Sequence, residues 1–491
     1  MSHRLPEPEP RPTPAPQERP KPTPKPKPKR STPPVPAPGH HHHHHGGGDV
    51  PGVLARYARP AVVAVLAVFA VFIAVGAALS WPSHDDHPIP LQYRSSDGGP
   101  LQVYDATVVS QTRADCSTLD TGTTTADFPQ IPTTGGPCIA TVIHIDSGPD
   151  EGRYAVLSIP TNAAQSGTGP DSAGIDAGAP DDPQPGQPSL RVDDSIRVSA
   201  MASQSDPASK TLTYAFYDYT RGTPLIFWAV AFVLAVVVVA TWRGLRAIIG
   251  LAVAFAVLGF FTLPSILDGN NVVLVAIVSA AAILFVVLYL AHGVSLRTSS
   301  ALVGTLLSLV LAGLLSWAAI SSLALTGLSA ESTKSLQLYQ GSLSLNGLLL
   351  AGFVIGTLGV LNDVTITQAS ATFELAAMPG QTRLGAFRAA MRVGRDHIAS
   401  TVYTLVFAYA GSALPLLLLF SVAAQPFSSL LTSEEVAIEL ARAFVGGIAL
   451  ALSVPLTTAV AAALVVPGGS SAGASDPAIR RTTRAASRKT V

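Results

Sequence analysis

The stretch Asn346–Leu375, NGLLLAGFVIGTLGVLNDVTITQASATFEL, begins as an apolar run and becomes polar while it keeps helical periodicity. Steps of three and four residues separate seven small, polar or acidic positions: Gly352, Gly356, Gly359, Asp363, Thr367, Ser370 and Glu374. On an α-helix this spacing places all seven on one stripe. Small residues four apart let a second helix approach closely, so the three glycines are predicted to form a helix-packing surface.

Asp363 lies where the apolar run ends. A carboxylate near hydrocarbon is costly, so it is expected to face protein or water rather than lipid. If the helix instead leaves the bilayer near Asn362, Asp363 simply lies at the headgroups, and the sequence leaves both readings open. The stretch thus predicts a central membrane helix whose inner half is either functional or ion-paired.

The composition predicts a membrane protein. Of 491 residues, 48% are hydrophobic and 13% are charged, and the net charge is zero. Several runs approach the roughly 20 apolar residues that a spanning helix needs. These properties exclude a soluble enzyme.

Eight spans are expected, one anchor at 60–80 and seven in a core over 222–466. The core helices are predicted at Thr223–Thr241, Leu245–Pro264, Asn271–Ala291, Ser299–Ile320, Leu345–Ser370, Ile398–Val422 and Leu440–Val466. Arginines concentrate in the loops between alternate helices, which the positive-inside rule assigns to the cytoplasm. The chain is therefore predicted to cross the inner cell membrane with both termini in the cytoplasm and residues 81–221 on the extracytoplasmic side.

The two ends of the chain are polar and basic. Residues 1–59 form a proline- and lysine-rich segment whose composition favours a disordered cytoplasmic tail. It contains His40–His45, which is either an affinity tag or a native histidine tract. Residues 467–491 are predicted to form a second basic cytoplasmic tail.

The segment 81–221 is predicted to be an all-β domain, an OB-like barrel. Five alternating runs carry this prediction: Gln102–Val109, Ile139–Ile145, Tyr154–Ile159, Leu190–Ala200 and Leu212–Tyr219. A Gly/Pro/Ser/Asp-rich stretch at 161–188 is expected to be a mobile insertion. Cys116 and Cys138 lie on the oxidising side and are predicted to form a disulfide.

The topology brings several ionisable residues to the cytoplasmic side. The candidate polar cluster comprises His292, Asp363, Glu374, Asp396 and His397. Carboxylates with imidazoles can relay protons or hold a divalent cation. The alternative is that each residue caps a helix or pairs with a loop arginine, and Asp396 is expected near a helix N-terminus, where the dipole favours an acid.

Two further features concern the last helices. Pro415 and Pro455 fall inside predicted spans, where each removes a backbone donor and breaks or kinks the helix. The segment Gln381–His397 is amphipathic and basic, so it is either a surface helix or an orientation signal. As a surface helix it would contact anionic lipid through Arg388, Arg392 and Arg395.

Enzyme signatures are not found in the sequence. It has no phosphate-binding glycine loop with lysine and no Cys/His spacing for zinc, and only Asp363 is an aspartate at membrane depth. No catalytic residue, metal, cofactor or nucleic-acid partner is therefore predicted.

Four stretches, LNDVTITQASATFEL, GRDHIASTVYTLVFAYAGSALPLLLL, LARAFVGGIALALSVPLTTAVAAAL and HGVSLRTSSALVGTLLSLVLAG, resemble the YibE/F-like family of multipass bacterial membrane proteins. The resemblance runs from Val103 to Leu464 and implies an anchor, an outer β domain and a seven-helix core, but no activity. Positions that match the family motifs are Asp363, Glu374, Gly394, Arg395, Asp396, Pro415, Pro455 and Thr457. The chain departs at Tyr403, where asparagine is frequent, and after Asn271, where Val272 replaces a common proline.

The expected function is permease-like, the movement of a small solute, ion or lipid-linked molecule through the core. The alternative is a non-transporting envelope assembly or regulatory protein. In that case the extracytoplasmic β domain binds an envelope partner or a small ligand and the helices anchor it in the lipid bilayer.

Overall fold

The computed structural model describes residues 53–83, 87–95, 98–133, 135–164, 179–202, 211–329, 331–341, 343–422 and 426–465. The predictions for the two terminal tails, apart from residues 53–59, and for much of the 161–188 insertion lie outside these ranges. Within them the chain is mostly helical, and a β-sheet is inserted after the first helix.

Six strands form the sheet. They are β1 Gln102–Ala114, β2 Thr124–Thr125, β3 Cys138–Ile145, β4 Tyr154–Pro160, β5 Ser195–Ala202 and β6 Leu212–Tyr219. Their order is β2-β4-β3-β1-β5-β6, and every neighbouring pair is antiparallel. The five predicted strand runs correspond to β1 and β3 to β6, whereas the two-residue β2 is too short for alternation to reveal it.

The sheet curls into a half-barrel around a buried apolar core that includes Val108, Ile143, Ile196 and Tyr214. Extra residues at Val109 in β1 and at Tyr217 in β6 shift the strand register. Such bulges bend a strand and increase its twist. The curl does not close, because β4 and β6 share no ladder, so the closed OB-like barrel expected from the sequence is not formed.

The helices follow in chain order. They are α1 Val53–Leu79, α2 Gly222–Val257, α3 Leu263–Leu267, α4 Val272–His292, α5 Leu296–Ser322, α6 Glu331–Tyr339, α7 Leu345–Ala376, α8 Arg383–Ser412, α9 Leu414–Val422, α10 Phe427–Thr432 and α11 Glu434–Leu464. A π-helical turn, Leu258–Thr262, joins α2 to α3. Among the described residues, six helical segments are long and apolar enough to cross a membrane, or seven if the bent pair α8 and α9 counts as one.

One of these segments, Gly222–Leu267, contains two of the predicted helices. Thr241 interrupts it with a φ of 53°, a conformation that is unfavourable for a β-branched residue. A Cβ built on Gly244 would lie 2.5 Å from the carbonyl oxygen of Val236, eight residues earlier. In a straight helix eight residues span about 12 Å, so the chain bends sharply at Thr241 and the segment is two helices.

The centre of the helical part is the packing of α5, α7 and α11 on one another, with Phe353 fully buried between them. Small residues allow these helices to approach. A Cβ on Gly304 of α5 would lie 2.4 Å from the hydroxyl of Thr457 in α11, and a Cβ on Gly446 would lie 3.1 Å from Leu405. This arrangement makes α7 the helix around which the others are grouped.

Candidate functional site

The stripe predicted on α7 lies on an open face of the helix. Gly352, Gly356 and Gly359 are exposed, as is Asp363. A Cβ built on Gly352 or Gly359 would meet no atom within 4 Å, and one on Gly356 would meet only the hydroxyl of Tyr409, at 3.2 Å. For Gly352 and Gly359 the expectation that they pack another helix is therefore wrong within the described part of the chain, whereas Gly356 lies close to Tyr409 of α8.

This open face lies between two neighbouring helices, with Tyr409 of α8 beside Gly356 and His292 of α4 in electrostatic range of Asp363. Helices α5 and α11 pack on the other sides of α7, while α4 and α8 both pack against α7. Among the described residues α4 and α8 do not pack against each other along their lengths. We call this space the α4–α7–α8 groove, defined by the floor residues Gly352, Gly356, Gly359 and Asp363.

At one end of the groove, ionisable side chains from three helices lie within range of electrostatic interaction. His292, the last residue of α4, interacts electrostatically with Asp363 of α7 and with Arg243 of α2. An acid, an imidazole and a guanidinium therefore lie at the same level. Within the predicted cluster, His292 and Asp363 are close enough to interact electrostatically.

The other acid on the stripe is ion-paired. Glu374 accepts a hydrogen bond of 2.6 Å from the guanidinium of Arg297, and 68% of the Glu374 side chain is exposed. Exposed pairs of this kind contribute about 0–1 kcal/mol to stability. Glu374 thus follows the simpler alternative, pairing with a loop-proximal arginine.

Asp396 and His397 lie elsewhere than expected. Helix α8 begins at Arg383, with the side chain of Thr382 accepting from the backbone amide of Gly385 as its N-cap. The basic segment and the following span form one continuous helix, because nothing in their sequence interrupts helical backbone. Asp396 is therefore mid-helix and exposed, and the argument from the helix dipole does not apply to it.

A metal site is not formed by these residues. Among the described residues, no three His, Cys, Asp or Glu side chains are grouped closely enough to hold an ion.

A second charged group, missed in the sequence, lies where α7, α8 and α11 meet. Arg442 of α11 donates to both carboxylate oxygens of Glu439, and its guanidinium carbon lies 5.4 Å from the ring centre of Phe353 and 5.8 Å from that of Tyr409. About a quarter of each charged side chain is exposed. The feature of the sequence that could have revealed this group is an acidic residue followed three residues later by a basic one inside an apolar helix.

Gln368 is a buried polar link between three helices, also missed in the sequence. Its side-chain amide donates to the carbonyl of Ala390 in α8 at 2.9 Å and to the hydroxyl of Thr458 in α11 at 2.8 Å. A Cβ on Gly394 would lie 2.9 Å from the Gln368 side-chain oxygen and 2.5 Å from Val454. Gly394, which the family resemblance singled out, is thus the residue that admits Gln368.

The two prolines differ in their effect. Pro415 is the second residue of α9, and the axes of α8 and α9 are bent by 55° at that break. Pro455 lies inside α11, which continues past it as a helix. Two residues after Pro455, the hydroxyl of Thr457 is buried and has no hydrogen-bond partner among the described residues.

The β domain and the loop after α3 carry two further connections. Cys116 and Cys138 form a disulfide, with Cα atoms 6.0 Å apart. Near the end of α1, Asp268 accepts from the amide and hydroxyl of Ser83 and lies 3.2 Å from the imidazole of His87. The amide of Ser83 is the main cause of a lowered pKa for the Asp268 carboxyl group.

Long apolar helices with charged groups between them, and a separate half-barrel, define a membrane-associated helical protein. The sequence profile of the family described as YibE/F-like protein matches residues 228–467, and this part of the chain belongs to that family. The match begins inside α2, so the resemblance of the β domain stays a prediction. No curated protein and no solved structure matches the chain.

Proposed function

We propose that the α4–α7–α8 groove conducts a small solute, ion or lipid-linked molecule, and that the protein is a permease rather than an enzyme. The observation that carries the proposal is Asp363, a carboxylate on the uncovered face of α7 at the end of its apolar run.

The depth of Asp363 supports this reading. It lies eighteen residues after Leu345, the first residue of α7, which is about 27 Å along the helix axis at 1.5 Å per residue. The hydrocarbon core of a bilayer is about 30 Å thick. Because a carboxylate in contact with lipid tails is costly, water or a polar solute is expected to fill the groove around Asp363.

Charged groups at two levels of the groove also support conduction. The hydroxyl of Tyr409 lies beside Gly356 on the groove floor and its ring contacts Arg442, which pairs with Glu439, while Asp363, His292 and Arg243 lie farther along α7. Intramembrane charges commonly mark the path of ions and polar substrates. A charged or polar solute would meet one group as it enters and the other as it leaves.

The membrane arrangement that fits this function has eight spans, with both termini cytoplasmic and the half-barrel outside the inner membrane. The bend at Thr241 supports two spans in Gly222–Leu267, and the pair α8 and α9 supplies another. Exposed large side chains on α2, among them Ile226, Trp228 and Phe232, suit a lipid contact.

Exposed arginines on α8 suit the inner leaflet. Arg388, Arg392 and Arg395 are all exposed and follow one another at steps of four and three along the helix. In the proposed orientation these guanidinium groups contact anionic lipid headgroups, each contributing about 1 kcal/mol near the surface.

The experiment tests whether the groove holds water. Cys116 and Cys138 are the two cysteines of the chain and they are disulfide-bonded, so a single introduced cysteine supplies the free thiol. We expect Gly359→Cys, in protein reconstituted into liposomes, to react with a charged, membrane-impermeant thiol reagent. The matched control is Phe232→Cys on the exposed face of α2, which we expect to remain unreacted in the bilayer.

Equal reactivity of the two variants would remove the distinction on which the groove depends. A Gly359→Cys thiol that reacts only after detergent is added would show that lipid or another protein covers this face, and conduction along it would be excluded.

A further inference from the structure

Arg442 keeps part of its guanidinium group free of hydrogen bonds. Its Nη1 atom donates to both carboxylate oxygens of Glu439, at 2.7 and 2.9 Å. Among the described residues, no acceptor bonds to its Nε or Nη2 atom. Neither atom is one of the buried polar atoms that lack a partner, so both are accessible from outside the protein. The edge of the guanidinium that carries Nε and Nη2 is therefore open to a ligand.

This open edge is held in place by aromatic rings. The guanidinium carbon of Arg442 lies over the ring of Phe353, 5.4 Å from its centre, and over the ring of Tyr409, 5.8 Å from its centre. Rings attract a cation placed over their faces, so both contacts orient the guanidinium. An arginine edge with two parallel N–H groups matches the two oxygens of a carboxylate. The site thus has the geometry of an oxyanion receptor.

The hydroxyl of Tyr409 is a second free donor. Among the described residues it makes no hydrogen bond, and it is not a buried atom. It lies 3.2 Å from the position that a Cβ on Gly356 would take, on the floor of the α4–α7–α8 groove. Tyr409 therefore contacts Arg442 with its ring and reaches the groove floor with its hydroxyl.

The end of α8 leaves this side of the helical part uncovered. Tyr409 lies in the last turn of α8, which ends at Ser412, and the axis of α9 is bent by 55° from that of α8. Among the described residues, α9 does not pack along α7 or α11. Because a charged group in contact with lipid tails is costly, water or a polar ligand is expected beside Arg442.

The charge of the site selects the ligand. Glu439 already neutralises Arg442, so a bound monoanion leaves a single negative charge at the site and a dianion leaves a double one. An uncompensated charge away from water is costly, and the cost grows with the charge. The site therefore favours a monocarboxylate over a phosphate or sulfate dianion.

We propose that Arg442 and Tyr409 bind the carboxylate group of a small organic monoanion. The Nε–H and Nη2–H groups of Arg442 donate to the two carboxylate oxygens, and the hydroxyl of Tyr409 donates to one of them. This assignment rests on the proposed conduction, for which it names the class of solute. Binding needs no transport, so the two fail separately: reactivity of the Gly359→Cys thiol tests the groove, and ligand binding tests this site.

The probe is benzoate, and its uncharged analogue benzamide is the control ligand. The full chain is purified in detergent, and binding is measured by isothermal titration calorimetry. We expect benzoate to bind and benzamide not to, because benzamide has no charge and only one oxygen acceptor. Inorganic phosphate is the competing chemistry, and binding of phosphate in place of benzoate overturns the assignment to a monocarboxylate.

Two variants test the named donors. Tyr409→Phe keeps the ring and removes the hydroxyl, so we expect benzoate to bind about tenfold more weakly, the effect of one hydrogen bond to a charged group. Tyr403→Phe is the matched control, since it makes the same change on α8 at a residue that is 65% exposed, and it should leave the affinity unchanged. Arg442→Lys keeps the positive charge and loses the two parallel N–H groups, so it should weaken binding by at least about tenfold.

Glu439→Gln separates binding from a purely structural pair. We expect it to tighten benzoate binding, because Arg442 is then no longer neutralised by a neighbouring carboxylate. Benzoate should therefore raise the unfolding temperature of this variant by more than that of the unsubstituted protein. Absence of benzoate binding, or equal affinities of the Tyr409→Phe and Tyr403→Phe variants, overturns the proposal.

Discussion

Arg442 donates to both carboxylate oxygens of Glu439, at 2.7 and 2.9 Å, on the same face of α11 and three residues apart. Two aromatic rings, from α7 and α8, lie close to the same guanidinium group. An ion pair formed within one helix is thus also a contact between three helices.

Removing the acid from this pair is expected to destabilise the helical part. Glu439→Gln leaves the Arg442 guanidinium among apolar side chains with a weaker acceptor, which costs about 1.5–3 kcal/mol for a hydrogen bond to a charged group. Thermal unfolding in detergent measures the effect. We expect the double variant Glu439→Gln, Arg442→Gln to recover part of the loss, and a neutral result for Glu439→Gln would show that the pair is solvated.

Two glycine-to-alanine changes should have opposite outcomes. Gly394→Ala places a methyl group 2.5 Å from Val454, so we expect overpacking to cost about 1–3 kcal/mol. Gly352→Ala meets no atom within 4 Å and exchanges glycine for the best helix former. It should leave stability unchanged or raise it by up to about 1 kcal/mol. The measurement that tests both predictions is the unfolding temperature of each variant, compared with that of the unsubstituted protein.

The difference between these glycines shows how much of the helix packing could be predicted from the sequence. Periodicity correctly placed Gly352, Gly356 and Gly359 on one face with Asp363, because a shared face follows from helical spacing alone. What covers that face depends on how α4 and α8 are placed, which spacing along α7 does not contain. Gly394 was found by resemblance, and its role needed the position of Gln368.

The sequence was also a poor guide to where one helix ends and the next begins. Hydropathy separated the basic segment before Ile398 from the apolar run after it, yet helical backbone passes through both, so Asp396 is mid-helix. Hydropathy found two helices on either side of Thr241, and the backbone at that residue shows the bend between them. The incomplete closure of the half-barrel depends on strand register and bulges, which alternation does not predict.

The contact between Asp268 and Ser83 should fail in acid. The pKa of Asp268 is lowered in the folded protein, so its carboxylate contributes stability above the pKa of the unfolded chain, about 3.9 for aspartate. This contribution is lost as the pH falls through the folded pKa, so we expect stability to decrease below about pH 4. Asp268→Asn cannot titrate, and its unfolding temperature should depend less on pH between 5 and 3. Identical pH profiles for the two proteins would contradict the assignment.

The charge of Asp363 should be measurable from inside the groove. Residue 359 is four residues from Asp363 and therefore about 6 Å along the helix, where a unit charge contributes about 0.7 kcal/mol in water. In the Gly359→Cys background, Asp363→Asn should slow reaction with a trimethylammonium methanethiosulfonate about threefold and speed reaction with the sulfonate reagent to a similar extent. Glu374→Gln is the matched control, because Glu374 is fifteen residues away, about 22 Å along the helix and beyond the Debye length of about 10 Å. Unchanged rates with Asp363→Asn would mean that the carboxylate does not face the space that Gly359 faces, and the groove would lose the charge on which conduction is argued.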